Sequence, residues 1–217
     1  MADFAHRRTT MVDTQVRPSD VTKFPIIDAM LTIPRELFVP PDKREMAYVG
    51  EHVPLGDGRV VLEPRILAKM LEAANLQNEE LVLDIGSGLG YSAALAAHVA
   101  DAVISLENDA ARVADAETAL GEAAIDNVAV IEGALSEGVV KSAPYDVILM
   151  QGGVQFVPEA LTDQLKDGGR IVAIFLADAL GTVKVGHKID GAVNWRFAFN
   201  GTAPLLPGFE SEQAFAL

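Results

Sequence analysis

The chain has 217 residues, with 31 acidic against 17 basic side chains and a net charge of −14. That length suits one large α/β domain or a domain with an appendage, and a surface so acidic repels phosphate backbones, which argues against nucleic acid as a partner. Cysteine is absent, so disulfides, thiolate metal sites and cysteine nucleophiles are excluded.

The N-terminus, Met1 to Arg8, has no apolar h-region, and the longest apolar runs, such as Ile171 to Leu176, are too short to span a bilayer. The expectation is a soluble cytoplasmic protein with no membrane contact. Met11 to Val21 reads as a helix ending near Pro18. Pro25 to Leu31 reads as a second helix, with proline at its start. Pro34 to Pro41 reads as a proline-bounded extended segment, and Ala47 to Leu55 leads into a turn at Gly56-Asp57-Gly58. Arg59 to Glu63 follows, then a helix from Pro64 to about Ala74 with an apolar face at Ile66, Leu67, Met70 and Leu71.

From Leu81 strands and helices alternate, which implies a parallel sheet with right-handed crossovers. The expected strands are 81–85, 102–106, 128–131, 145–150 and 170–176, and the expected helices are 91–99, 110–122 and 157–165. Two further strands, 182–189 and 194–199, are joined at Asp190-Gly191, a hairpin signal. The fold class is therefore α/β: a doubly wound, mostly parallel seven-stranded sheet with an N-terminal helical extension. Residues 1–75 form the extension and 76–217 the α/β domain, the two making one compact unit. The tail from Ala203 to Leu217 is ambiguous.

The whole chain is organised around Leu81-Val82-Leu83-Asp84-Ile85-Gly86-Ser87-Gly88-Leu89-Gly90-Tyr91. An apolar strand ends in glycines at alternate positions, and a helix begins at once. Such a turn lets backbone approach a ligand closely and aims the N–H groups of a helix start at it. A dinucleotide fingerprint reads G-x-G-x-x-G/A, whereas this turn reads G-x-G-x-G and carries Tyr91 at the sixth position. D-x-G-x-G-x-G resembles motif I of the S-adenosylmethionine (SAM) dependent methyltransferases. That resemblance implies SAM as cofactor, held by Asp84, Gly86, Ser87, Gly88 and Gly90, in a Rossmann-like methyltransferase fold.

Glu107 ends the next strand, about 20 residues past the turn, where an acid binds ribose hydroxyls in this architecture. Ala134 and Leu135 follow the third strand, where many SAM enzymes place an acid against the adenine amino group. Here backbone and apolar contact must serve instead. Gln151 follows the fourth strand and can hydrogen-bond but cannot act as a base. His6, His52, His98 and His187 lack metal-ligand spacing, so no metal is expected. Ser87 has no G-x-S-x-G elbow around it, which rejects a serine hydrolase.

Several segments now align in order. They are Val12 to Pro18, Pro34-Arg35-Glu36-Leu37-Phe38-Val39-Pro40, Ala47-Tyr48, Pro54-Leu55-Gly56, the glycine turn, Ala143 to Asp146 and Leu165 to Arg170. Together they resemble the protein-L-isoaspartate O-methyltransferase family over roughly residues 11 to 176. The P-R-E-x-F-V-P segment is specific to that family. The resemblance implies methyl transfer from SAM to isoaspartyl carboxylates of damaged proteins or peptides. Its substrate-side loop maps onto Val60, Leu62, Glu63 and Pro64. There the family has G-x-T-I-S-x-P, with hydroxyls facing the isoaspartyl carboxylate. This chain has Gly58-Arg59-Val60-Val61-Leu62-Glu63-Pro64, without either hydroxyl. The catalytic residues are therefore left unassigned, and a family member with a different acceptor, or a SAM-binding protein without repair activity, stays open. Oligomeric state has no sequence signal.

Overall fold

The computed structural model describes residues 3–177 and 180–211. The chain opens with α1 (Phe4–Met11), capped by the Asp3 carboxylate, which accepts from the His6 N–H. This helix begins well before Met11, where the sequence placed the start. Only Met11 of α1 is buried, so the segment carries almost no apolar periodicity to reveal it. The helical path continues through a π turn at Val12–Val16 and a 3-10 turn at Arg17–Ser19, and stops at Asp20 in the left-handed region. Helix α2 (Phe24–Thr32) follows.

The segment 34–41 departs from the extended expectation. Arg35–Phe38 and Pro41–Met46 are 3-10 turns. Pro34 and Pro41 preset the backbone angle of a turn's first residues, and the tight turn lets Arg35 fold inward onto Ala47 and Leu62. Strands β1 (Val53–Gly56) and β2 (Arg59–Val61) then form a separate two-stranded antiparallel hairpin. Helix α3 (Pro64–Ala74) starts on proline and ends at Asn75 in the left-handed region.

The main sheet comprises β3 (Leu81–Ile85), β4 (Ala102–Glu107), β5 (Val128–Glu132), β6 (Tyr145–Val154), β7 (Leu165–Ala177), β8 (Leu180–Ile189) and β9 (Ala192–Asn200). Their order is β5-β4-β3-β6-β7-β8-β9. The first five run parallel, and β8 and β9 add antiparallel strands. The Asp190-Gly191 link has positive φ at both residues, the type I′ requirement for a hairpin of this twist. Helices α4 (Tyr91–Ala97), α5 (Ala110–Glu122) and α6 (Glu159–Asp163) connect the parallel strands.

Three elements differ in extent from expectation, one of them β7, which starts at Leu165 rather than Arg170. Helix α6 is shorter than 157–165, because Pro158 sets its start and Leu165 already pairs with Tyr145 as the first residue of β7. Strand β6 runs through Gln151, Gly152 and Gly153, where the sequence suggested a loop. The tail explains this: Gly153 donates to Pro204 O at 2.8 Å, Leu206 donates to Gly153 O at 2.8 Å, and Gly153 bridges Leu205 in parallel. The part of the tail beyond Ser211 lies outside the described residues.

Alternate residues of each central strand enter opposite cores, the period-2 rule of a sheet buried on both faces. Val82, Val103, Val147 and Val172 join Met30, Leu67 and Leu95 on the face covered by the long helices. Leu83, Leu106, Ile148 and Ile171 face Leu161, Leu206 and Phe209 on the other.

Candidate functional site

The glycine turn between β3 and α4 takes the left-handed conformations expected of it. Gly86, Gly88 and Gly90 have φ of 72°, 60° and 91°, which L side chains rarely adopt. Gly86 donates to Leu106 O at 2.8 Å, locking the turn to the end of β4. The Ser87 hydroxyl accepts from Ser105 at 2.6 Å. Tyr91, the bulky residue at the sixth position, is buried and packs against Phe38 at 5.7 Å between ring centroids and under Arg35 at 4.8 Å. The P-R-E-x-F-V-P segment is thus an anchor for the first residue of α4. Arg35 also donates to Ala47 O at 2.6 Å and Leu62 O at 2.8 Å, which ties the turn's support to the loop after β2.

Asp84 is buried beside the turn. Its Oδ2 accepts from Ser92 Oγ at 2.5 Å and its Oδ1 from Gln151 Nε2 at 2.6 Å. Burial pushes its carboxyl up to about 6, and the two hydrogen bonds offset only part of that rise. Gln151 therefore serves as a donor to the motif's acid, a role its placement on an extended β6 makes possible.

Glu107 is fully buried, and both its oxygens are engaged twice. Oε1 accepts from Arg59 Nη1 at 2.8 Å and from the Asn108 N–H at 3.0 Å. Oε2 accepts from Arg59 Nη2 at 3.0 Å and from the Gly88 N–H at 2.9 Å. A carboxylate offers about four acceptor positions, so none remains here for a ribose hydroxyl. Arg59 Nη2 also donates to Gly86 O at 2.6 Å, and the Arg59 side chain is 2% exposed. Arg112 Nη2 holds the hairpin turn at Asp57 Oδ2, 3.2 Å away, and Leu55 of β1 covers Gly88 so closely that a Cβ there would meet it at 2.5 Å.

The substrate-side residues sit around this closure. Val60 and Leu62, with Ser87, Tyr91, Ser92 and Gln151, line a void of only about 10 Å³. Leu62 points into the core, while Val60 is half-buried. Glu63 turns away from the turn: its carboxylate pairs with Arg65 at 2.9 Å and its N–H donates to His52 Nδ1 at 2.8 Å. Pro64 begins α3. Ala134 is exposed after β5, and Leu135 points into the core with Leu106 and Tyr145. On the other side Leu206 of the tail crowds both Gly86 and Gly152.

The structure thus brings Asp84, Gly86, Ser87, Gly88, Gly90 and Glu107 to one place. It adds Arg59, Arg112, Ser92 and Leu206, which sequence reasoning did not single out. The available signal was Arg59 itself, a cation between a glycine turn and the apolar pair Val60-Val61 in a very acidic chain. As a donor set for SAM, the glycine turn, its backbone N–H groups and Glu107 are the right chemistry in the right order. The arrangement does not admit the cofactor as it stands, because all four acceptor positions of the ribose acid are already taken.

Known proteins resemble this chain along most of its length. The family model described as Protein-L-isoaspartate(D-aspartate) O-methyltransferase (PCMT) matches residues 7–194. A Koribacter versatilis protein named protein-L-isoaspartate O-methyltransferase is 40% identical over 172 residues, 79% of this chain and 78% of that one. A solved structure of the same name superposes with a TM-score of 0.80 at 26% identity, covering 93% of this chain and 66% of that one. A Plasmodium falciparum structure of this name, in complex with S-adenosyl-L-homocysteine, gives 0.79 at 18% identity over 95% and 99% of the two chains, a likeness of fold. A glycine turn on β3 with an acid closing β4, joined to the P-R-E-x-F-V-P anchor and matched along most of its length, places this chain in the protein-L-isoaspartate O-methyltransferase family of SAM-dependent methyltransferases.

Proposed function

We propose that this chain is a SAM-dependent O-methyltransferase that esterifies isoaspartyl carboxylates of damaged proteins or peptides. The observation that carries the reading is the family match over residues 7–194, which spans both the glycine turn and the substrate-side loop. The acceptor carboxylate is already ionised at neutral pH, so the transfer requires no general base. The cofactor, when bound, supplies the reactive methyl group. What the chain must supply is alignment and exclusion of water. Asp84, Gly86, Ser87, Gly88, Gly90, Glu107, Ala134 and Leu135 are the proposed cofactor contacts, and Val60, Leu62, Glu63 and Pro64 border the acceptor.

The extension and the sheet are proposed to act as one unit, because α1, α2 and α3 share a core with β3, β4 and β6. No helix among the described residues is long and apolar enough to cross a membrane, and a cytoplasmic location is part of the proposal. The test is methyl transfer from labelled SAM to an isoaspartyl peptide, read as methanol released after ester hydrolysis, with the normal aspartyl peptide as control. Transfer to the isoaspartyl peptide alone supports the reading, and transfer to neither sinks it.

The loss of both loop hydroxyls favours a second reading, a methyltransferase with a different acceptor. A carboxylate brought against Val60 and Leu62 finds no donor there, and burying it unpaired is costly. Val60→Thr restores one hydroxyl at a half-buried position. Leu62 is 2% exposed, so Leu62→Ser would also open a cavity and confound the comparison. A rise in isoaspartyl turnover with Val60→Thr favours the first reading. No rise, with turnover absent in both proteins, favours the second.

A further inference from the structure

We propose that Arg59 is a built-in competitor for the ribose anchor, so that SAM enters only when Arg59 leaves Glu107. The inference rests on the methyltransferase reading above and concerns access to its cofactor. Arg59 takes one position on each oxygen of Glu107, at 2.8 and 3.0 Å, and backbone N–H groups take the other two. Its third bond, to Gly86 O at 2.6 Å, lies within the glycine turn itself. A bidentate guanidinium matches a carboxylate as well as two ribose hydroxyls do, and it adds charge. Arg59 and the cofactor therefore cannot hold Glu107 together.

The element that carries Arg59 pairs with no strand of the main sheet, and of its apolar residues only Val53 and Val61 are fully buried in the common core. β1 and β2 form a two-stranded sheet apart from the seven-stranded one, and such a hairpin has little stability of its own. Its turn projects Asp57 into solvent, with Arg112 as the outer clasp. Lifting the hairpin removes Leu55 from Gly88 and Arg59 from Glu107 in one motion, without breaking a strand pair of the main sheet. A site competent only in its open fraction binds its ligand more weakly by that fraction, so weakening the latch must strengthen binding.

The experiment compares S-adenosyl-L-homocysteine binding by calorimetry in the full chain, in Arg59→Gln and in Arg59→Lys, with thermal melts to show that each is folded. Arg59→Lys keeps a cation beside Glu107 but loses the two-pronged grip, which guards against a Gln variant that does not fold. The expected result is binding at least tenfold tighter in Arg59→Gln, with Arg59→Lys between it and the parent. Hydrogen exchange in the unmutated chain gives a second reading that a purely structural ion pair would not move: amides of 53–61 should exchange faster when the ligand is bound. Equal or weaker binding in folded variants, or exchange in 53–61 that stays unchanged or slows, overturns the latch. If the parent binds tightly and neither variant gains, the latch alone falls and the methyltransferase reading stands. If none of the three folded proteins binds, both fall.

Discussion

Two buried acids stand on neighbouring strands at the edge of the glycine turn, and they are kept there by opposite means. Asp84 on β3 is held by neutral donors, the Ser92 hydroxyl and the Gln151 amide. Glu107 at the end of β4 is held by a guanidinium and two backbone N–H groups. Burial is the same, but the consequence differs. Neutral donors leave most of the desolvation penalty standing, so the Asp84 carboxyl rises to about 6. A paired cation offsets part of the cost of burying a charge, and it makes each partner depend on the other. The lesson is that Asp84 is open to tuning by its neighbours, whereas Glu107 is open to competition.

The largest expected effect comes from breaking the charged site. Arg59→Gln removes the two-pronged cation from Glu107 and leaves it two N–H groups and Arg112 Nη1 at 3.7 Å, and unfolding in urea should show a loss of about 3 kcal/mol. The same variant is expected to bind the cofactor product more tightly, so stability and affinity should move in opposite directions. A loss below about 1 kcal/mol would mean that Glu107 reaches water without its partner.

The neutral site should show its character through pH. The folded carboxyl of Asp84 is raised from 3.8 to about 6, so its contribution is fully present at pH below 3.8 and is lost as pH rises through 6. A shift of that size corresponds to roughly 3 kcal/mol. Relative to Asp84→Asn, the natural chain should therefore lose about that much stability between pH 4 and pH 7. Parallel melting curves for the two proteins across that range would show that Asp84 does not titrate in the fold as described.

Ser92→Ala sharpens the comparison at smaller scale. It removes one donor from an ionised carboxylate, which costs about 2 kcal/mol at pH 7 and less near pH 4, where Asp84 is protonated. An equal cost at both pH values would assign the loss to packing rather than to the hydrogen bond. The smallest effect is expected at Glu63, whose partner Arg65 is 45% exposed. Arg65→Ala should change stability by less than about 1 kcal/mol and leave the titration of Asp84 unmoved. A larger change would mean that the Glu63 pair holds the loop over the turn.

Much of this architecture was legible beforehand. The strands from 81 to 176 announce themselves as short apolar runs between helical stretches, and each of the five parallel strands falls where its run lies. The Asp190-Gly191 hairpin follows from local backbone demands alone. Helix α1 was not legible, because a helix with one buried residue has no apolar stripe to show. The segment 34–41 misled because proline bounds extended segments and begins helical turns alike. Strand β6 ran past its expected end because the tail supplies partners for Gly153 from 50 residues further along.

The glycine turn, its flanking strand and helix, and the acid after β4 were determined by the sequence itself, since each rests on a local backbone requirement or a fixed spacing. Arg59 on Glu107, Gln151 on Asp84 and Leu206 over Gly86 were decided only by tertiary structure. A lone arginine in an acidic chain reads as a solvated charge. It becomes a buried ion-pair partner only once a separate hairpin has folded across the end of the sheet and excluded water from both groups.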